Sequence, residues 1–111
     1  MIVWTRNVSL SMTSLRGFFR PVGRSFYETV DGLALISGQD PREDPCEKST
    51  VEFIGTFDGV PFALYDYKAD ADLHIGGSDA LDVEGLIVTL AGLLGAELEP
   101  VGPSRVNYFG G

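Results

Sequence analysis

The chain reads as an α+β protein of two layers, an antiparallel sheet of hairpins covered by one apolar helix near the C-terminus. Three observations predict this. Asp58-Gly59 stands between two runs of alternating apolar residues, 51–57 and 60–68. That dipeptide is the strongest short hairpin signal, because a type I′ turn needs positive φ at both central positions. Asp31-Gly32 repeats the pattern between 26–30 and 33–37, which predicts a second hairpin. Residues 83–94, Val-Glu-Gly-Leu-Ile-Val-Thr-Leu-Ala-Gly-Leu-Leu, then form an apolar run too short to cross a bilayer, which takes roughly 20 residues.

The central turn fixes a register. Phe57 faces Val60, Gly55 faces Phe62, Phe53 faces Leu64 and Val51 faces Asp66, so one face of the hairpin is apolar except for Asp66. The other face pairs Thr56 with Pro61, Ile54 with Ala63, Glu52 with Tyr65 and Thr50 with Tyr67. A slip of one residue would turn the Phe side chains outward. A polar connection leads into a brief strand, Leu73-His74-Ile75, which Gly76-Gly77 is expected to break. Ser78 or Asp79 can cap the helix predicted over about 80–95, with acids favourable at its positive end. Glu97–Val101, with Pro100, suits an edge strand. Residues 105–109 could pair briefly.

The helix carries two kinds of face. Val83, Leu86, Ile87, Leu90, Leu93 and Leu94 make a bulky stripe for the Phe-rich hairpin. Gly85, Thr89, Gly92 and Ala96 make a small-residue face. Glycine in a helix costs about 0.5–1 kcal/mol against alanine. That face therefore predicts close approach by another backbone, either elsewhere in this chain or in a second copy forming a homodimer. A helix apolar nearly all round is expected to be covered on more than one side.

At 111 residues, with 44% hydrophobic content and seven Phe, the chain is long enough to form a core. Cys46 is the single cysteine, so no internal disulfide forms and a reducing, cytoplasmic setting is expected. No signal peptide is evident at the Met1 end. Charge is unevenly spread: residues 1–27 hold Arg6, Arg16, Arg20 and Arg24 and no acid, while 28–111 hold all 16 acids. This divides the chain into a basic N-terminal segment, 1–27, and an acidic α+β domain, 28–111. The segment is expected to be a short helix over Ser9–Arg20 docked through its aromatics, a transit peptide, a contact arm, or an extension ahead of a start at Met12.

The residues 57–68, Phe-Asp-Gly-Val-Pro-Phe-Ala-Leu-Tyr-Asp-Tyr-Lys, and 73–77, Leu-His-Ile-Gly-Gly, carry a likeness. They resemble small accessory proteins of actinobacterial tailed phages, in which a Tyr-Asp-aromatic-Lys strand precedes a His-Ile-Gly-Gly segment. The resemblance implies a non-virion protein made inside the host that binds a host protein in its cytoplasm. It implies no functional residue.

Catalytic chemistry finds few parts. One His and one Cys, with no Gly-x-Ser-x-Gly, leave a triad incomplete. An enzyme would need a pocket gathering His74 with Tyr65 or Tyr67. Asp70, Asp72 and His74 alternate so that an extended segment would present all three to a cation, with Asp66 or Asp79 near; an acidic turn explains them as well. Gly76-Gly77-Ser78-Asp79 before a helix resembles an anion-binding turn, but the acids that follow would repel phosphate. Four arginines on a body of net −12 make a poor footprint for nucleic acid, whereas the acids could mimic DNA. No cofactor, metal or membrane is expected. The expected binding surface is an aromatic-acidic strip of Glu52, Tyr65, Asp66 and Tyr67 along the hairpin, with Asp70 and Asp72 beyond its end. Such a strip suits a basic partner.

Overall fold

A computed structural model of the chain describes residues 1–8, 14–42, 49–66 and 72–100. In chain order the elements are β1 (Ile2–Trp4), β2 (Ser14–Val22), α1 (Phe26–Ser37), β3 (Glu52–Phe57), β4 (Val60–Tyr65), β5 (Leu73–Gly77), α2 (Val83–Leu94) and β6 (Glu97–Pro100). The strands form one antiparallel sheet in the order β1-β3-β4-β5-β2-β6. Both helices lie on one face of it, so the architecture is the predicted two-layer α+β sandwich with a second helix. No described helix is long and apolar enough to cross a membrane.

The hairpin β3–β4 has the register read from Asp58-Gly59, from Phe57↔Val60 to Glu52↔Tyr65. Both turn residues take positive φ, 50° and 83°. Its inward face joins the core through Phe53, Phe62 and Leu64, with Ile75 and Leu73 of β5, Phe19 of β2, Val30 and Leu33 of α1, and Leu86 and Leu90 of α2. Gly55 has a steric reason to be glycine. A Cβ there would stand 2.5 Å from the Val3 carbonyl oxygen and 3.2 Å from the Phe62 ring. Its bareness lets Trp4 and Phe62 meet edge to face over it, ring centroids 5.6 Å apart.

Several expectations are corrected. Residues 26–37 are helix α1, not a hairpin. Ser25 caps it, accepting a hydrogen bond from the Glu28 N–H while the Glu28 carboxylate accepts one from the Ser25 N–H. These bonds, backbone first, hold the Glu28 carboxyl below its ordinary pKa. This capping box, followed by buried Thr29, Val30 and Leu33, outweighs the Asp31-Gly32 turn signal. Gly32 sits inside the helix, where a Cβ would meet Leu94 of α2 at 2.9 Å.

Residues 14–22 are strand β2, neither a docked helix nor an arm. β2 pairs with β5 on one side and β6 on the other. Its alternation is of period 2: Gly17 and Phe19 are buried toward the helices, while Arg16, Phe18 and Arg20 point to the opposite side or outward. Residues 1–27 thus supply two strands to the same sheet. Gly76 and Gly77 continue β5 instead of breaking it, paired to both β4 and β2. The cap of α2 is Asp82, which accepts from the Gly85 N–H at 3.0 Å. That helix is covered on one side only, since Val88 is 69% and Leu93 50% exposed. Residues 105–109 lie outside the described residues.

Leu90→Ala should cost about 2–5 kcal/mol, as for a large side chain removed from a packed core. Val88→Ala should cost under about 0.5 kcal/mol, as for a surface site. Denaturant midpoints of the two variants check this, and equal midpoints would contradict the one-sided packing of α2.

Candidate functional site

Of the residues expected to form an aromatic-acidic strip, Glu52 and Asp66 are buried instead of exposed. Asp66 is 1% exposed, just past the end of β4 and facing the point where the chain enters β3. Its carboxylate accepts hydrogen bonds from the Thr50 N–H at 2.7 Å, the Val51 N–H at 3.0 Å and the Thr50 hydroxyl at 2.5 Å. Its carbonyl oxygen accepts one from the Ser49 hydroxyl at 2.7 Å. A carboxylate is tolerated in the interior when its lone pairs are met in this way. The register itself held the signal, because Asp66 was the one polar residue on the core face of the hairpin.

Glu52 is also buried, with its carboxylate 4.0 Å from the Arg6 guanidinium. Arg6 donates further to the carbonyl oxygens of Asp40 and Glu52, at 2.9 and 2.8 Å. Asp72 receives Arg20 through two bonds of 2.8 and 3.1 Å. Arg16 donates to the carbonyl oxygens of Ser78 and Leu81 ahead of α2. Three of the four arginines of the basic segment therefore bind the acidic body of their own chain. Tyr67 and Asp70 lie outside the described residues.

The sheet face away from the helices brings one predicted pair together. Registers across β3, β4, β5 and β2 align Glu52, Tyr65, His74 and Phe18 in one row. His74 is 8% exposed, its ring 4.8 Å from Phe18 and 5.4 Å from Tyr65. The imidazole and the phenol that a catalytic reading required are neighbours, but they meet as packed rings of a cross-strand row. Among the described residues no three His, Cys, Asp or Glu side chains gather to hold a metal ion.

Sequence reasoning missed the groove between α2 and β6. Gly95 turns the chain in the left-handed conformation, and β6 runs back along the helix. Ile87, Val88, Ala91, Leu98 and Pro100 line a cleft of about 340 Å³, with Glu84 and Glu97 completing its wall. Leu98 is buried at its floor, whereas Val88 and Pro100 stand open to solvent. The available signal was the excess of apolar positions on α2, more than one core-facing stripe needs.

The small-residue face of α2 has a different explanation from close backbone approach. A Cβ on Gly85 would collide with the capping Asp82 carboxylate. The Thr89 hydroxyl donates to the Gly85 carbonyl of its own helix at 2.8 Å. Around Gly92 a Cβ would meet nothing within 4 Å, so no described segment packs there.

No protein-family model, curated protein or solved structure matches the chain. The geometry of its own residues is what the functional reading rests on.

Asp66→Ala leaves the Thr50 and Val51 donors without their acceptor and should destabilise the fold by on the order of 3 kcal/mol. Asp79→Ala, exposed ahead of α2, should be nearly neutral. Thermal or denaturant unfolding of both variants measures the contrast; a neutral Asp66→Ala would return that residue to the surface.

Proposed function

We propose that the chain is a non-catalytic binding protein that acts on a macromolecular partner by presenting a surface, centred on the α2–β6 groove. One observation carries this reading: the groove is an open apolar cleft, whereas Glu52, Asp66 and Asp72 of the expected strip hold the fold together. Large exposed apolar residues at a cleft between elements are a recurring mark of protein contact. Val88 at its lip supplies such area without a role in the core. On the resemblance to phage accessory proteins, the partner is a host protein met in the host cytoplasm.

The DNA-mimic alternative loses support from the same bookkeeping of contacts. Asp58, Asp66, Asp72, Asp82 and Glu52 each bond to another part of the chain. Glu52 and Asp66 in particular are buried and unavailable as surrogate phosphates. Self-association through Gly85, Thr89, Gly92 and Ala96 rests on Gly92 alone, since Gly85 is occupied by its cap.

Two baits test the proposal. Val88→Glu should keep the wild-type unfolding midpoint yet lose the protein that the wild-type chain retains from a lysate of its native cell. Leu15→Glu, a surface change on β2 away from the groove, should retain it. Retention of the same protein by Val88→Glu would contradict the assignment of the surface.

A further inference from the structure

We propose that the groove accepts a short extended segment of a partner protein in which basic residues alternate with apolar ones, laid along the outer edge of β6. This gives the partner chemistry for the surface proposed above and rests on that reading.

Three features of the site converge on it. The first is the sheet edge. β6 is the last strand among the described residues and pairs only with β2. A strand in that position presents backbone N–H and C=O groups that an added strand can satisfy. Pro100 has no N–H to offer, so pairing centres on Glu97–Glu99.

The second is size and polarity. Residues 84–91 of α2 span about 10 Å at ~1.5 Å per residue, and the four residues of β6 span a similar length at ~3.3 Å each. That length takes three or four extended residues. Because strand side chains alternate, every second one would face the cleft between Val88 and Leu98, and an apolar side chain fits there.

The third is charge. Glu84 and Glu97 wall the groove, and Glu99 follows on β6. All three are exposed, and none has an ion-pair partner among the described residues. They differ in this from Asp58, Glu52 and Asp72, which are paired. Positive residues at the alternate positions of the incoming segment would meet Glu97 and Glu99, which alternate with buried Leu98 on β6, and this favours encounter and orientation. The two acids of β6 argue against a second copy. Antiparallel pairing of two β6 strands about Leu98 would set Glu97 opposite Glu99 on both sides, and like charges directly opposite are destabilising.

The test uses the full chain, labelled with ¹⁵N and titrated with three capped hexapeptides: Lys-Val-Lys-Val-Lys-Val and its counterparts with Thr or Glu in place of Lys. The Lys peptide should shift the amides of Val88, Ala91, Leu98 and Glu99 saturably. It should bind about tenfold more tightly than the Thr peptide, a difference of about 1.4 kcal/mol, and the gap should shrink as salt screens the rim. The Glu peptide should not bind. Glu97→Gln combined with Glu99→Gln should bring the Lys peptide to the Thr level without altering the unfolding midpoint. Equal binding of the Lys and Thr peptides would overturn the charge assignment while leaving the docking surface intact. Failure of all three to shift the groove would overturn both. Binding only after removal of residues 101–111 would make the chain's own terminus the occupant, and the same shifts on concentration alone would make it a second copy. Either result overturns the proposal.

Discussion

The insertion of β2 between β5 and β6 is the constraint on which the rest of the sandwich depends. β1, β3, β4 and β5 form a contiguous set, and β6 joins it only through β2. Phe19 of β2 is wholly buried beneath the helices, so the strand contributes to the core as well as to the ladder. Arg20 fastens it to Asp72 just before β5, and Arg16 fastens it to the turn before α2. Exposed ion pairs are individually worth about 0–1 kcal/mol. The ladder and the buried ring therefore supply most of the holding energy, and the arginines set the alignment.

This arrangement changes the meaning of the charge asymmetry. A +4 segment ahead of an acidic body has the composition of an arm or a targeting peptide. In the folded chain it is an internal complement: Arg6, Arg16 and Arg20 find acceptors in the body, and the terminal amine meets Asp58. The carboxylates remaining outside such contacts include Glu84 and Glu97, which wall the apolar cleft between α2 and β6, and Glu99, which follows on β6. The proposed binding surface is that cleft, away from the arginines and acids that hold β2 and the β3–β4 hairpin in place.

Where neighbouring residues decide the conformation, the sequence was legible. Asp58-Gly59 set the β3–β4 register to the residue, and Leu73-His74-Ile75 and Glu97-x-Glu99-Pro100 marked strands that exist. The miss at 26–37 was also local: two valid signals competed, and the reciprocal bonds of Ser25 and Glu28 won over Asp31-Gly32. The misses at β2 and the groove were of another kind. Phe18-Phe19 fits a helical stripe or a strand with one ring on each face, and only partners from residues 73–77 and 97–100 decide between them. The groove exists because β6 folds back beside α2, which no window of sequence contains. Asp66 stood on the core face of the predicted hairpin, yet its acceptor role required Thr50 and Val51 to curl around it.

Native-state hydrogen exchange across β2, compared with β4, addresses the integration of the N-terminal strand most directly. β2 is laddered to β5 through Phe19 and to β6 from Phe19 onward, and a strand held in this way about a buried ring opens only with the core. The amides of Gly17–Arg20 should accordingly share the slow exchange of Phe62–Leu64, with opening free energies close to that of global unfolding. Rapid exchange across Gly17–Arg20 beside a protected β4 would contradict the account, leaving residues 1–27 an appendage and β6 without its anchor.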